Sequence, residues 1–136
     1  MDKLFLEVVT PRRVVVSQEV ETVVAPGTEG EFGVLPGHVL FLSGIVPGVL
    51  RYAVGKETTL LSVSKGFAEI SDDRISVLVD AAEKPGEIDV ERAKRAMERA
   101  KMRLEEGKGN EDIDYLRAEG ALQRAVVRLK LAEKSI

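Results

Sequence analysis

The sequence predicts an α+β chain in two parts, short β-strands over residues 1–84 and a helical hairpin over residues 85–136. Two observations carry this. Residues 1–84 hold 16 Val and 8 Gly, against 3 Val and 4 Gly in the 52 residues that follow. Valine favours pleated sheet, and glycine makes the turns between strands. Beyond Lys84-Pro85-Gly86 the pattern changes to Ala and Leu at three- and four-residue spacing, which is the period of a helix. Charge divides at the same place. The first part has 8 Lys+Arg against 12 Asp+Glu, net −4, and the second 12 against 11, net +1.

The strand part is read in order. Leu4, Leu6 and Val8 alternate with Phe5, Glu7 and Val9, as in a strand with one buried face. Val14 to Val16, Val20 to Ala25, Val39 to Leu42, Val49 to Val54, Thr58 to Val63, Phe67 to Ile70 and Ile75 to Val79 complete the set. Turn signals separate them at Pro26-Gly27, Pro36-Gly37, Pro47-Gly48, Gly55-Lys56, Lys65-Gly66 and Asp72-Asp73. Strands this short and this regularly spaced pack as a sandwich or barrel. Gly30-Glu31-Phe32-Gly33-Val34-Leu35-Pro36-Gly37-His38 reads as a glycine-rich loop between strands. It also suits a rigid, partly apolar loop that meets a partner, with Glu31 and His38 as its polar groups.

The helical part opens at Glu87 or Asp89, since acidic groups favour helix N-termini. The first helix runs to about Glu106. Gly107-Lys108-Gly109-Asn110 breaks it, Gly107 suiting a C-cap and Asn110 an N-cap. The second helix continues to about Glu133. At roughly 100° per residue, Arg92, Arg95, Arg99 and Arg103 fall within an arc of about 80°. Arg117, Arg124 and Arg128 fall within about 40° by the same arithmetic. Beside them run Ala93, Ala96 and Ala100 on the first helix and Ala118, Ala121, Ala125 and Ala132 on the second. Folded together, the two helices converge many guanidinium groups on one anion, the chemistry of a phosphate site. The same stripes fit a solvated helix face, and the residues alone leave both readings open. An alanine seam buries little apolar area, so the hairpin is expected to be modestly stable and able to detach.

Other classes are excluded by composition. The chain has no Cys, which removes disulfides and thiolate metal sites, and a single His makes a His-based metal or catalytic centre unexpected. No nucleophile stands with a base and an orienting group, so the chain is not read as an enzyme. The net charge of −3 does not suit a general nucleic-acid binder. Met1-Asp2-Lys3 and the alternating run after it lack the pattern of a secretory leader. No apolar stretch approaches the 18 or so residues that span a bilayer. Asp80, Glu83 and Glu87 read first as solvated acids near the junction.

Taken together, four stretches resemble one family. Gly30 to His38 looks like the sandwich-loop signature of the ε subunit of F-type ATP synthases. Ile88-Asp89-Val90-Glu91-Arg92-Ala93 resembles the Ile/Leu-Asp-x-x-Arg-Ala motif of bacterial members that bind ATP. Asp112-Ile113-Asp114-Tyr115-Leu116-Arg117-Ala118 and Arg124-Ala125-Val126-Val127-Arg128-Leu129 resemble the family's second helix. The resemblance spans the whole chain with its parts in order. Pro85-Gly86, just before the motif, is a departure.

The resemblance implies an N-terminal antiparallel β-sandwich of about ten strands followed by a C-terminal antiparallel two-helix hairpin. It implies a non-catalytic subunit of the rotary stalk on the cytoplasmic face of a bacterial membrane. Its expected partners are the γ subunit, the c-ring and the catalytic α and β subunits. Glu31, Phe32, Gly33, Pro36 and His38 would face γ and the c-ring. The hairpin would fold down or extend along γ, inhibiting ATP hydrolysis when extended. ATP would be its regulatory ligand, held by Glu83, Ile88, Asp89, Arg92, Ala93, Arg99, Arg124 and Arg128, with no metal required by the sequence. Asp89 would orient an arginine or accept from the adenine amino group, and Ile88 and Ala93 would touch the base. The rival readings are the same subunit without ATP sensing, and a free nucleotide- or nucleic-acid-binding module.

Overall fold

The computed structural model describes residues 3–37, 40–106 and 112–134, leaving aside the side chains of residues 112–115, 133 and 134. The chain divides into two compact units, Met1–Lys84 and Pro85–Ile136.

Ten strands build the first unit: β1 (Leu4–Val9), β2 (Val14–Val20), β3 (Thr22–Gly27), β4 (Gly30–Val34), β5 (Phe41–Ile45), β6 (Gly48–Val54), β7 (Glu57–Val63), β8 (Gly66–Ser71), β9 (Arg74–Val79) and β10 (Ala82–Glu83). They form one folded sheet in the order β10-β7-β6-β3-β5-β8-β9-β1-β2, with β4 added on β3. The alternation read in β1 holds: Leu4, Leu6 and Val8 are buried, while Phe5, Glu7 and Val9 are half-buried. They share one core with Ile75 and Val77 of the neighbouring β9 and with Leu50, Leu61 and Ile70 of other strands.

The sheet turns its corner through β3. The start of β3 pairs with β6 (Thr22↔Ala53 to Val24↔Arg51), and its end pairs with β5 at Gly27↔Ile45. Pro26 sits between these two pairings, its carbonyl accepting from the Val46 amide at 3.0 Å just after β5. A residue without an N–H costs little there. Strands that switch layers at a bend are how folded sheets make corners.

Local pattern and structure differ at four places. Gly30–Val34 is not a loop but strand β4, joined to β3 by a tight turn at Thr28-Glu29, with Gly27 opposite Gly30. Pro26-Gly27 is therefore strand, not turn. The glycines hid a period-two signal, since Phe32 and Val34 point inward and Glu31 and Gly33 outward. The stretch Val20 to Ala25 breaks at Glu21, whose carboxylate accepts from the Gly55 amide at 2.8 Å. Strand β10 was not expected, because two residues cannot show a period. Finally, β1 runs antiparallel to β2 but parallel to β9 (Phe5↔Arg74 to Val9↔Leu78).

Glycine has a steric role at Gly66. Gly66 opens β8 opposite Val79, and a Cβ built there falls on the Leu78 carbonyl oxygen. Only a residue without a side chain lets β8 and β9 approach as they do.

In the second unit a 3-10 turn, Pro85–Glu87, leads into α1 (Val90–Glu106), and α2 (Asp112–Lys134) follows. The Pro85-Gly86 departure thus forms a compact entry, closed by the Ile88 amide donating to the Pro85 carbonyl at 3.3 Å. The two helices pack on each other, and α2 also packs on the 3-10 turn. With only residues 107–111 between them, the packed helices run antiparallel. The capping roles expected of Gly107 and Asn110 lie outside the described residues. The seam is the alanine stripe. Ala93, Ala100, Ala118, Ala125 and Ala132 are buried, with Leu131 and Ile88 at its end. Ala96 and Ala121 are half-buried at its margin. Buried alanines recur every seven residues on both helices, the repeat of a supercoiled pair, and small side chains let the backbones come close.

Candidate functional site

The start of α1 is fixed by one residue. Asp89 Oδ1 accepts from the Arg92 amide at 3.0 Å, and its carbonyl accepts from the Ala93 amide at 3.0 Å. This is an N-cap, which satisfies amide groups that the first helical turn leaves bare. The backbone of Arg92 is held by that bond, while its side chain stays exposed. Replacing Asp89 by alanine is expected to cost the hairpin about 1 kcal/mol, and Asp89→Ser should restore most of it. Faster amide exchange in the first turn of α1, unchanged in β1 and β9, is the expected readout.

The arginines follow the seam register. Arg92 and Arg99 each precede a buried alanine of α1, and Arg117 and Arg124 each precede one of α2. In an antiparallel pair, the two-fold axis normal to the plane of the helices keeps equivalent offsets on one side. These four guanidinium groups therefore share a face. Arg103 and Arg128 each lie three residues after a seam alanine, about 60° to the same side, whereas Arg95 points away. The antiparallel run also brings the Arg92 end of α1 to the Arg128 end of α2. Arg92, Arg99, Arg103, Arg117 and Arg124 are exposed and Arg128 is half-buried. Within α1 the ion pair Lys94–Glu91 (3.8 Å) engages the lysine, not this row. The face thus offers several planar, permanently charged forks to a polyanion, the donor set that suits phosphate oxygens.

Three further residues expected at the ATP site are placed as follows. Ala93 has no exposed surface and Ile88 is 8 % exposed. Ala93 closes the seam beside Arg92. Glu83 lies in the other unit, half-buried in β10 opposite Ser62.

The second cluster lies around β4. Glu31 is exposed and paired with Arg51 at 3.1 Å, across β3. Phe32 packs on the sandwich core and meets Phe41 edge-to-face, ring centroids 5.3 Å apart. Gly33 is exposed in the strand, and Pro36 is half-buried in the turn after it. His38 lies outside the described residues. Sequence reasoning missed Arg51 and Asp73. The Asp73 carboxylate accepts from the Gly37 amide at 2.6 Å and so holds this turn from 36 residues away. No local signal marks either contact.

It also missed an apolar row. Gly44, Phe67, Leu78 and Val9 lie side by side across β5, β8, β9 and β1. Phe67 is 65 % exposed and Leu78 55 %, with Leu42 two residues from Gly44 on the same face at 71 %. The signal was available: Ala68 and Ile70 alternate inward, which sends Phe67 outward. Apolar side chains grouped on an outer face are the kind of surface found at interaction sites. Among the described residues no three potential metal ligands cluster, and no helix is long and apolar enough to cross a membrane.

Both units match known domains. Residues 3–85 match the ATP synthase delta/epsilon chain β-sandwich domain, and residues 87–133 match its long α-helix domain. The chain belongs to the ATP synthase delta/epsilon chain family. A curated ATP synthase epsilon chain from Syntrophobacter fumaroxidans is 52% identical over 134 residues, 98% of each chain. Membership of this epsilon-type branch makes the chain a non-catalytic subunit of an ATP synthase. The fold is shared with a chain of the Euglena gracilis mitochondrial ATP synthase, solved as OSCP, F1 and c-ring. There the TM-score is 0.80 at 24% identity, over 98% of this chain and 82% of that one. A chain from the central stalk and c-ring of the Tetrahymena thermophila mitochondrial enzyme aligns with a TM-score of 0.57 at 16% identity, over 98% and 96%. The strand unit and the helix pair thus correspond to the family's two domains, with the β4 hairpin in the first and the arginine face in the second.

Proposed function

We propose that this delta/epsilon family member is a central-stalk subunit whose sandwich binds the rotor and whose hairpin senses ATP. The observation that carries the sensing role is the arginine row, which both helices place on one exposed face beside the capped start of α1. A single helix would present half of that row. ATP holds the folded hairpin by binding its guanidinium groups through the phosphates, with Asp89 fixing the turn that carries Arg92. When ATP is scarce the helices separate along the alanine seam and extend toward the catalytic α and β subunits, where the same basic row meets acidic side chains. The exchange needs a seam that parts readily, and buried alanines hold far less free energy than buried leucines. ATP shifts the balance because it prefers one of the two states.

Rotor binding is supported by the exposed Phe67–Leu78 row with Leu42, which suits the γ subunit. The turn after β4 suits the c-ring, at the inner surface of a bacterial membrane. Coupling of the rotor to the ring follows from holding both. Phe67→Lys is expected to weaken capture of γ about tenfold or more, as for an anchor at an interface centre, without lowering the melting temperature of the sandwich. Undiminished binding of γ by this variant would remove the apolar row from the interface.

A further inference from the structure

The turn between β8 and β9 is made of Asp72 and Asp73, at φ +50° and +58°. Ser71 pairs with Arg74 across it, so it is a two-residue hairpin with both central residues left-handed. Glycine and asparagine suit that conformation better than aspartate. The Asp73 side chain is not left to solvent. Its Oδ1 accepts from the Gly37 amide at 2.6 Å, and its carbonyl oxygen accepts from the Phe5 amide at 2.8 Å. One residue therefore ties three segments: the β8–β9 turn, the first residues of β1, and the Pro36-Gly37 turn that follows β4. Gly37 is itself left-handed at φ +87°, and its added Cβ would meet nothing within 4 Å. The turn is thus open around Gly37 and is held by the carboxylate. A cavity of about 410 Å³ opens at this turn, lined by Asp72 and Asp73 with Phe5, Glu69, Ser71 and Arg74 among others. Arg74 there is engaged by the Phe5 ring at 4.8 Å and by Glu7 at 4.0 Å, leaving Asp73 to the Gly37 amide.

We infer that Asp73 is a positioning residue for rotor binding: its carboxylate sets the direction of the Pro36-Gly37 turn. This rests on the reading that the stretch from Glu31 to Gly37 meets the rotor. Three variants of the full chain test it, each measured for Gly37 amide exchange by NMR and for binding to a reconstituted γ–c-ring complex. Asp73→Gly keeps the left-handed turn and removes the acceptor. It should speed Gly37 exchange and weaken rotor binding by about tenfold, the scale of one charge-assisted hydrogen bond, while the sandwich melts as before. Asp73→Asn keeps both turn preference and an acceptor oxygen, and should bind within about threefold of the parent. Leu35→Asp alters the exposed stretch itself. If Leu35→Asp weakens binding and Asp73→Gly does not, the positioning role is overturned and the rotor reading stands. If neither weakens binding, both fall. Unchanged Gly37 exchange in Asp73→Gly also overturns the inference.

Discussion

Arg92→Ala and Arg124→Ala are each expected to reduce the proposed ATP binding by about tenfold or more, the loss of hydrogen bonds between a guanidinium and phosphate oxygens. Arg95→Ala, on the far side of α1, leaves the affinity unchanged. The contrast is the informative part. All three variants remove one positive charge from the hairpin, so a general field effect would move them together. A site on the seam-side face moves only two. Calorimetry on the full chain measures it, and rising salt should weaken the parent more than either variant. When free ATP is a hundredfold above Kd, binding adds about 2.7 kcal/mol to the folded hairpin. Its helix amides should then exchange more slowly while those of the sandwich do not. Absence of heat and of any protection at millimolar ATP would leave the arginines to the catalytic subunits alone.

Gly66→Ala lowers the stability of the sandwich by about 3 kcal/mol, at the upper end of overpacking costs. The reason is what the new methyl meets. It falls on the Leu78 carbonyl, and backbone cannot rotate aside as a long side chain can. Relief requires β8 to part from β9, and β9 is the strand that carries β1 on its other edge. For a domain of this size the melting temperature should drop by about 10–20 °C. Gly33→Ala is the control, because its nearest neighbour is Val24 Cγ2 at 3.9 Å, ordinary contact, and its backbone needs no left-handed angle. It should melt within a few degrees of the parent. Equal melting of both variants would mean that β8 and β9 do not approach as closely as described.

What was legible in the sequence was local. The alternation of β1 and of Phe67 to Ile70, the turns at Gly55 and Asp72-Asp73, and the helix starting beside Asp89 all depend on neighbours a few residues away. So do the alanine and arginine stripes, since helical period and rotation are properties of one segment. Those determined the two-part α+β fold and which side chains share a stripe on each helix. Tertiary structure decided the rest. Whether Gly30–Val34 is loop or strand depended on β3 offering an edge. The parallel neighbour of β1 begins some 70 residues later, beyond the reach of any periodicity. The carboxylate that holds Gly37 and the cation that meets Glu31 come from other strands entirely. That the arginines of two helices share one face follows only once the helices run antiparallel about a common alanine seam. Periodicity states which residues lie together on one element; which elements face each other is set by where the whole chain can bury its apolar faces at once.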